Sequence, residues 1–255
     1  MTGGGITDMG VSLPLLGVPG LFDTGLSAYI KKLLALGDDG PVAYWPLSEK
    51  TGTVAADLSA NGCDGTAVGI TWGAGGIGDG TTAPTFDGVN DYIRPDVAIL
   101  QSVFNGVAGT LAAWAHPTGL GDRTIVRLAD ISNNDVALRT SSAGFPFWEF
   151  RAGGTLTQIY RPSAVELDTW LHIAVTWDEN AGANGEIRAF FNGAQYGTAQ
   201  NYPATSWNAT GMTRSMLGAY DNAGAIKLWL GRIAHVALWD IALTPAQIAT
   251  LAVVD

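Results

Sequence analysis

The chain is poor in positive charge and in cysteine, and both shortages restrict what it can bind and how it can be stabilised. Its 255 residues include 13 Lys and Arg against 23 Asp and Glu, which gives a formal net charge of −10. Because such a surface repels phosphate backbones and anionic headgroups, we predict neither nucleic-acid binding nor membrane insertion. Cys63 is the only cysteine, so no internal disulfide can form and the fold must depend on its core.

Long hydrophobic runs and a basic leader are also missing from the sequence. Gly and Pro interrupt the apolar stretches well short of the about 18 residues that a transmembrane helix needs. The first basic residue is Lys31, so the basic start of a secretory signal is absent. We therefore expect either a mature chain or one that reaches its destination without the general secretory route.

Glycine and hydrophobic residues are abundant instead. Hydrophobic residues make up 47% of the chain and charged residues 14%, and there are 34 glycines. This composition favours many short strands joined by glycine turns, and we predict about 12–14 of them in one large domain. The candidate strands are 42–47, 66–71, 84–87, 91–94, 108–116, 124–129, 135–139, 146–150, 155–160, 170–178, 186–192, 214–219 and 228–239.

The start of the chain is predicted to be separate from this domain, with an anchoring or assembly segment over 1–39 and the domain over 40–255. Residues 1–22 are apolar, but Pro14 and Pro19 forbid a continuous helix, so we expect an extended arm. The arm either folds back on its own domain or packs on a partner subunit, and a third reading is that it derives from expression.

Two short helices are predicted at the flanks of the β domain. Residues 24–36 have apolar positions at helical spacing, with a glycine after them that can end a helix. Asp23 or Thr24 can provide the N-cap of this helix. Near the other end, Thr244 followed by Pro245 predicts the start of a C-terminal helix.

A series of short motifs carries a resemblance to a known family. Residues 40–49 read GPVAYWPLSE, 57–66 read DLSANGCDGT, and 85–93 read TFDGVNDYI. The later motifs are TLAAWAHP at 110–117, DTWLHIAVTW at 168–177, IRAFFNG at 187–193 and GRIAHVALW at 231–239. In order and spacing these motifs resemble the laminin-G-like, concanavalin A-like jelly-roll family over residues 41–250.

The resemblance implies an all-β, two-sheet antiparallel jelly-roll sandwich, preceded by the arm and short helix and closed by the short C-terminal helix. The helix that leads into GPVAYWPL is also similar to a segment of bacteriophage head and tail surface proteins of this family. That second resemblance implies a virion surface location, with an extracellular location as the alternative.

Calcium is the cofactor that the resemblance implies, because related domains often hold a structural Ca²⁺ on loop carboxylates. Ca²⁺ takes six to eight oxygen ligands. Ala234 and His235 stand where the family has an acidic pair, so one hard ligand is missing. The alternative is that the loop residues only cap turns through backbone hydrogen bonds. The candidate metal ligands are Asp57, Asn61, Asp87, Asn90 and Asp91.

Carbohydrate is the ligand that the aromatic residues favour, because sugar faces stack on exposed rings and polar side chains orient the hydroxyls. The tryptophans within predicted strands are assigned to the core. The rings in or beside predicted loops are the candidate glycan contacts, namely Trp72, Trp148, Tyr160, Tyr202, Trp207 and Tyr220.

No catalytic pattern is present, so we predict that the protein is not an enzyme. Glycoside hydrolysis needs two carboxylates about 5–9 Å apart, and the sequence has no run of alternating carboxylates on one strand. The three histidines are far apart, without metal-ligand spacing, and His172 is predicted to be packed in the core.

Two hypotheses therefore remain, and they are compatible. The first is a non-catalytic carbohydrate-binding or adhesion module, of a virion or of a cell-surface or secreted bacterial protein. The second is a purely structural virion component with no glycan ligand. As a virion protein, the chain is predicted to contact other virion subunits through residues 1–22 and to form homo-oligomers or be displayed in many copies.

Overall fold

The computed structural model describes residues 25–131, 133–207, 211–221 and 224–254. The predicted arm over 1–22 lies outside these residues. Within them, the predicted all-β fold is confirmed. The strands are β1 (Ala43–Trp45), β2 (Val54–Ala55), β3 (Gly65–Val68), β4 (Thr71–Gly75), β5 (Thr82–Asp87), β6 (Tyr92–Pro95), β7 (Ala108–Pro117), β8 (Arg123–Ala129), β9 (Asp135–Thr140), β10 (Pro146–Ala152), β11 (Thr155–Tyr160), β12 (Leu171–Asp178), β13 (Glu186–Phe191), β14 (Ala194–Gln200), β15 (Met216–Leu217), β16 (Tyr220–Asp221), β17 (Ala225–Ile226) and β18 (Leu230–Trp239).

Two eight-stranded antiparallel sheets form a sandwich. The first sheet has the order β14-β13-β12-β7-β18-β5-β4, and β1 pairs with β18 in the same sheet. The second sheet has the order β11-β10-β9-β8-β15-β6-β3-β2. β16 and β17 form a separate two-stranded hairpin. The predicted two-sheet jelly roll is thereby confirmed.

The main core lies between the two sheets and follows from strand alternation. On β12, Ile173, Val175 and Trp177 are fully buried in this core. The residues between them point to the other side of the sheet, where Ala174 joins a second apolar cluster. Successive side chains of a strand alternate between faces, so both faces of this strand are buried.

The second cluster lies under two helices that cover the outer face of the first sheet. These are α1 (Ala28–Leu34) and α3 (Pro245–Leu251). Tyr29 of α1 is buried against strand residue Trp114, whose indole N–H donates to the Tyr29 hydroxyl at 2.8 Å. That hydroxyl donates in turn to the Leu251 carbonyl of α3 at 2.9 Å. Within the described residues, the outer face of the second sheet is therefore the broad sheet surface that no helix covers.

Three details of the helices refine the sequence prediction. α1 begins later than expected, because Ser27, and not Asp23 or Thr24, provides the N-cap. α3 is confirmed, with a capping box between Thr244 and Gln247. A further helix, α2 (Val97–Val103), was not predicted; Asp96 caps it and Leu100 is its buried residue. None of the described helices is long and apolar enough to span a membrane.

Candidate functional site

The outer face of β8–β11 carries the candidate site, and strand alternation determines which residues lie there. On β10, Trp148 and Phe150 enter the main core. Phe147, Glu149 and Arg151 lie between them in the sequence and therefore occupy the outer face. In register with them on β11 are Tyr160, Gln158 and Leu156.

Ion pairs cross this face from strand to strand. Arg127 of β8 donates from Nε and Nη2 to Oδ2 of Asp135 on β9, at 2.9 and 2.7 Å. Arg139 of β9 donates to Glu149 of β10 at 2.8 Å and to Asp122 at 2.7 Å. The first four of these residues are each at most 6% exposed. Buried charges of this kind persist only when they are paired and hydrogen-bonded.

The β16–β17 hairpin explains why charged groups on an outer face are buried. The ring of Tyr220 lies over the guanidinium of Arg127 at 3.8 Å and over that of Arg139 at 5.0 Å. The main-chain carbonyl of Asp221 accepts a hydrogen bond from Arg127 at 2.9 Å. Among the described residues, the hairpin therefore covers one end of the face and leaves the β10–β11 end open.

Aromatic rings continue from the hairpin to the open end. The Arg139 guanidinium lies 4.7 Å from the Phe147 ring, and Phe147 stacks on Tyr160 with centroids 4.7 Å apart. Tyr160 is 47% exposed, and its hydroxyl donates to Gln158 at 3.1 Å. An exposed ring beside amide and guanidinium groups can stack on a flat ligand and hydrogen-bond its rim. We call the row Tyr160, Phe147, Arg139 and Tyr220 the stacked row.

A cavity of about 210 Å³ opens next to the stacked row, with Asp135, Arg151 and Tyr220 among its walls. Burial raises the pKa of Asp135 to about 6, although the nearby Arg127 acts in the opposite direction. Oδ2 of Asp135 is held by Arg127, whereas Oδ1 is buried and has no hydrogen-bond partner among the described residues. A perturbed buried carboxyl at a cavity wall is typical of a functional site.

Positive and negative charges are nearly balanced around this face, although the chain as a whole is acidic. Six of the chain's 13 Lys and Arg residues form ion pairs here or line the cavity, and the acidic partners in those pairs are Asp122, Asp135, Glu149 and Asp221. The face therefore lacks the strong negative charge of the remaining surface and can accept neutral or anionic ligands. The six residues are Arg94, Arg127, Arg139, Arg151, Arg214 and Lys227.

Two of the six predicted glycan residues lie on this face, namely Tyr160 and Tyr220. The sequence did not indicate the ion pairs beneath them, because isolated charges in strands read as solvated side chains. A signal was nevertheless available in the strand positions of Arg139 and Glu149, which alternate with core residues and so share one face.

Three of the predicted glycan residues must be corrected, because they are buried. Trp148 is 1% exposed, since it lies on the inward side of β10 rather than beside a loop. Trp207 is 2% exposed and packs against Phe104 and Trp177. Tyr202 is 5% exposed, and its hydroxyl accepts the Trp207 main-chain N–H at 2.8 Å. None of these rings offers a face to a sugar.

Trp72, the sixth predicted glycan residue, lies on β4 of the first sheet and is partly buried. Its indole N–H donates to the carbonyl of Gly52 at 2.8 Å. The ring is therefore held in the other sheet and does not contribute to the face that carries Tyr160 and Tyr220.

The predicted calcium residues form hydrogen-bonded turns. Oδ1 of Asp57 accepts the N–H groups of Tyr44 and Ser59, both at 2.8 Å. Oδ2 accepts the Ser59 hydroxyl at 2.6 Å and the Cys63 N–H at 2.7 Å. The amide of Asn61 donates to the carbonyl of Val42 at 2.9 Å. Both oxygens of Asp57 are thus saturated by donors.

The second part of the predicted calcium set closes the turn between β5 and β6. Oδ1 of Asp87 accepts the N–H groups of Val89 and Asn90 at 2.7 and 3.2 Å. Asp91 accepts the Asp87 N–H at 2.8 Å, and burial raises its pKa. The described part of the chain contains no group of three or more His, Cys, Asp or Glu able to hold a metal. The donor set therefore does not fit Ca²⁺.

The position of the family's acidic pair is also occupied differently. His235 is 1% exposed, and its Nδ1 lies 2.7 Å from the Tyr44 hydroxyl. Its Nε2 lies 3.5 Å from Asp79. The ring packs against Tyr29 at 4.7 Å, so this residue joins β18 to α1 instead of facing a loop cation.

Comparison with protein families gives one match, which covers more than half of the chain. Residues 87–249 match a laminin-G family whose description is the concanavalin A-like lectin/glucanases superfamily. This match confirms the laminin-G-like resemblance; the bacteriophage context is not tested by it. The comparison with curated proteins gave no match.

Solved structures share the fold at low identity. Domain 4 of AbnA, an extracellular GH43 arabinanase from Geobacillus stearothermophilus in complex with arabinotriose, is 19% identical, with TM-score 0.58, covering 84% of this chain and 98% of that one. The Ruminococcus gnavus IT-sialidase CBM40 bound to α2,3-sialyllactose is 17% identical, with TM-score 0.51, covering 60% and 86%. Trypanosoma rangeli sialidase in complex with sialic acid is 16% identical, with TM-score 0.63, covering 88% of this chain but 36% of the sialidase. At these identities the likeness concerns the fold alone.

Proposed function

The chain belongs to the concanavalin A-like lectin/glucanases superfamily, and from that premise we propose that it binds carbohydrate on the outer face of β8–β11. The observation that carries this proposal is the stacked row, which ends in the exposed ring of Tyr160. The other broad sheet face is covered by α1 and α3. The ligands named for two structural neighbours, arabinotriose and sialyllactose, support a glycan as the ligand class.

The chemistry of the face suits a sugar. The ring of Tyr160 offers an apolar surface on which the C–H face of a sugar can stack. Gln158 lies beside that ring and donates to Glu149 at 3.2 Å, so its amide is already oriented. Groups that are pre-oriented by neighbours lose little entropy when they bind a hydroxyl.

We propose binding without cleavage. Glu149 accepts hydrogen bonds from Arg139 and Gln158, and Asp135 accepts two from Arg127. A carboxyl that acts as general acid or nucleophile must be free to meet the glycosidic bond. These two carboxylates instead link the strands through Arg139, Gln158 and Arg127, although Oδ1 of Asp135 has no hydrogen-bond partner among the described residues. The lectins named in the family description support this proposal, whereas the glucanases named beside them do not.

We further propose that the chain is a virion surface protein that adheres to a host glycan and is anchored through residues 1–22. Its support is the similarity of the segment before GPVAYWPL to bacteriophage surface proteins, together with the apolar composition of the arm. A cell-surface or secreted module is the alternative location. A purely structural virion component is the alternative function.

The test is a glycan array with the protein displayed in many copies, in the wild-type form and as Tyr160→Ala and Tyr220→Ala. We expect the wild type to bind and each variant to lose about 0.5–1.5 kcal/mol, which is two- to tenfold in affinity, because one stacked ring is removed. Trp72→Ala is the matched control, since that ring lies on the other sheet.

Two results would contradict the proposal. Absence of binding to every glycan by the displayed wild type would leave the structural role as the better account. Release of reducing sugar from a bound glycan would show catalysis at the same face.

A further inference from the structure

The cavity beside the stacked row has one acceptor group and one donor group that make no hydrogen bond among the described residues. Asp135 is 1% exposed, and its Oδ1 has no hydrogen-bond partner among the described residues. Arg151 is partly buried, and its guanidinium has no hydrogen bond or salt bridge among the described residues, although its charge acts to lower the pKa of the neighbouring Asp135. A buried carboxylate oxygen without a donor costs free energy, so it calls for an explanation.

The two groups are direct neighbours. Arg151 of β10 and Asp135 of β9 are cross-strand partners on the same face. Residues opposite each other in an antiparallel pair have Cβ atoms about 4.5–5.5 Å apart. The acceptor and the donor can therefore contact two adjacent atoms of one ligand. The cavity of about 210 Å³ corresponds to about seven water molecules in volume, which is enough for part of a sugar unit.

We propose that this cavity is a subsite for a neutral sugar unit with hydroxyl groups on adjacent carbon atoms. One hydroxyl accepts from the guanidinium of Arg151, and its neighbour donates to Oδ1 of Asp135, which is buried and must turn towards the cavity to make this contact. This subsite rests on the proposed carbohydrate-binding function and defines the class of sugar unit that binds next to Tyr220. Tyr220, which forms another wall, keeps the subsite continuous with the stacked row.

A neutral group fits better than an anion. Asp130 and Asp135 both line the cavity, together with Arg127 and Arg151. Arg127 is already engaged by Asp135 and by the carbonyl of Asp221. A carboxylate ligand would therefore be attracted by Arg151 but repelled by the two acidic walls. A diol uses the unmatched acceptor and the unmatched donor at the same time.

Propane-1,2-diol and propane-1,3-diol test this directly, because they have the same composition and differ in whether the hydroxyls are adjacent. Each is titrated into the full chain, and the amide chemical shifts of Asp135 and Arg151 are followed by NMR. We expect the 1,2-isomer to shift these resonances at about tenfold lower concentration than the 1,3-isomer does, because only the 1,2-isomer contacts both groups. Acetate, as the anionic probe, should act more weakly than the 1,2-isomer.

Arg151→Met removes the donor and should abolish the preference for the 1,2-isomer, while an unchanged melting temperature shows that the variant is folded. Arg161→Met is the matched control, because Arg161 lies over Phe191, away from the cavity, and it should keep the preference. Equal response to the two isomers, stronger binding of acetate, or no response to either diol overturns the subsite. Glycan binding without diol preference rejects only the subsite, and diol preference without glycan binding rejects only the proposed function.

Discussion

The carboxylate of Asp57 connects β1 to the loop that follows it. Its two oxygens receive four hydrogen bonds, from two neighbouring loop residues and from the main chain of Tyr44. A carboxylate saturated in this way stabilises a turn, and hydrogen bonds to a charged group contribute about 1.5–3 kcal/mol. Removing this residue should therefore be costly whether or not calcium is present.

We expect Asp57→Ala to lower stability by about 3 kcal/mol, because several buried N–H groups lose their acceptor. EGTA should leave the melting temperature of the wild type unchanged, as the donor set does not fit Ca²⁺. Melting curves of both forms, with calcium and with EGTA, measure this. Asp38→Ala, at an exposed position, is the control. A wild type that melts earlier in EGTA would restore the calcium interpretation.

His172 lies on β12 between the first sheet and the covering helices, where it is 1% exposed and contacts Trp114. Its burial, predicted from the sequence, is confirmed. Desolvation lowers the pKa of His172 to about 3, so the ring stays neutral in the folded protein. The unfolded chain binds a proton near pH 6.5, so stability attributable to this residue is present above pH 6.5 and is lost as the pH falls towards 3.

His172→Phe should remove this dependence while it keeps an aromatic ring in the same space. Between pH 6.5 and 4.5 the wild type should lose about 2–3 kcal/mol relative to the variant. Urea unfolding of both proteins at the two pH values gives the difference. Asp135, whose raised pKa changes stability with pH in the opposite direction, is present in both proteins, so its contribution cancels in the comparison. Parallel pH profiles for the two proteins would show that the buried ring titrates normally.

Among the elements, those with strong alternation were predictable and those without it were not. β12 lies within the candidate strand 170–178, whose apolar residues alternate between the two faces. The motif IRAFFNG ends in Asn192 and Gly193, which form the turn after β13 with positive φ of 48° and 79°. β14 follows that turn but was missed, because an exposed edge strand has no apolar period. α2 was missed because it buries one residue, Leu100.

The candidate site, too, was predictable from the sequence only in part. Tyr160 and Tyr220 could be selected from the sequence as aromatic residues at strand ends. The burial of Arg127 and Asp135 could not, because it depends on the β16–β17 hairpin, which is distant in sequence. Burial by a segment that is distant in the sequence produces no local sequence pattern.

The arm over residues 1–22 is predicted to act as a separate element. Deleting it should leave the melting temperature unchanged, since α1 retains its cap at Ser27 and its contacts with α3. The deletion should abolish assembly with partner subunits, measured by co-sedimentation with the particle. Normal assembly of the truncated chain would contradict an anchoring role, and a large loss of stability would indicate that the arm folds back on its own domain.

For the whole molecule, we expect weak binding by one domain and strong binding by many. A single site with a few stacked rings should bind near millimolar, about 4 kcal/mol, whereas display in linked copies raises avidity about 10²–10⁴-fold. Binding of the monomer and of a particle-displayed form to host cells measures this, with Tyr160→Ala as the variant that should weaken both. Equal binding by monomer and particle would argue against multicopy adhesion.

The two helices on the first sheet have a consequence for orientation. α1 and α3 contact each other through Tyr29 and Leu251, and Lys32 reaches the carbonyl of Val253 at 2.6 Å. Both therefore pack on one side of the sandwich, and the stacked row lies on the opposite side. A support that holds the domain at its helical side leaves the sugar-facing side directed outwards, so copies fixed to a curved surface would share one direction of approach. The spacing between neighbouring copies would then decide how many can engage one target at once.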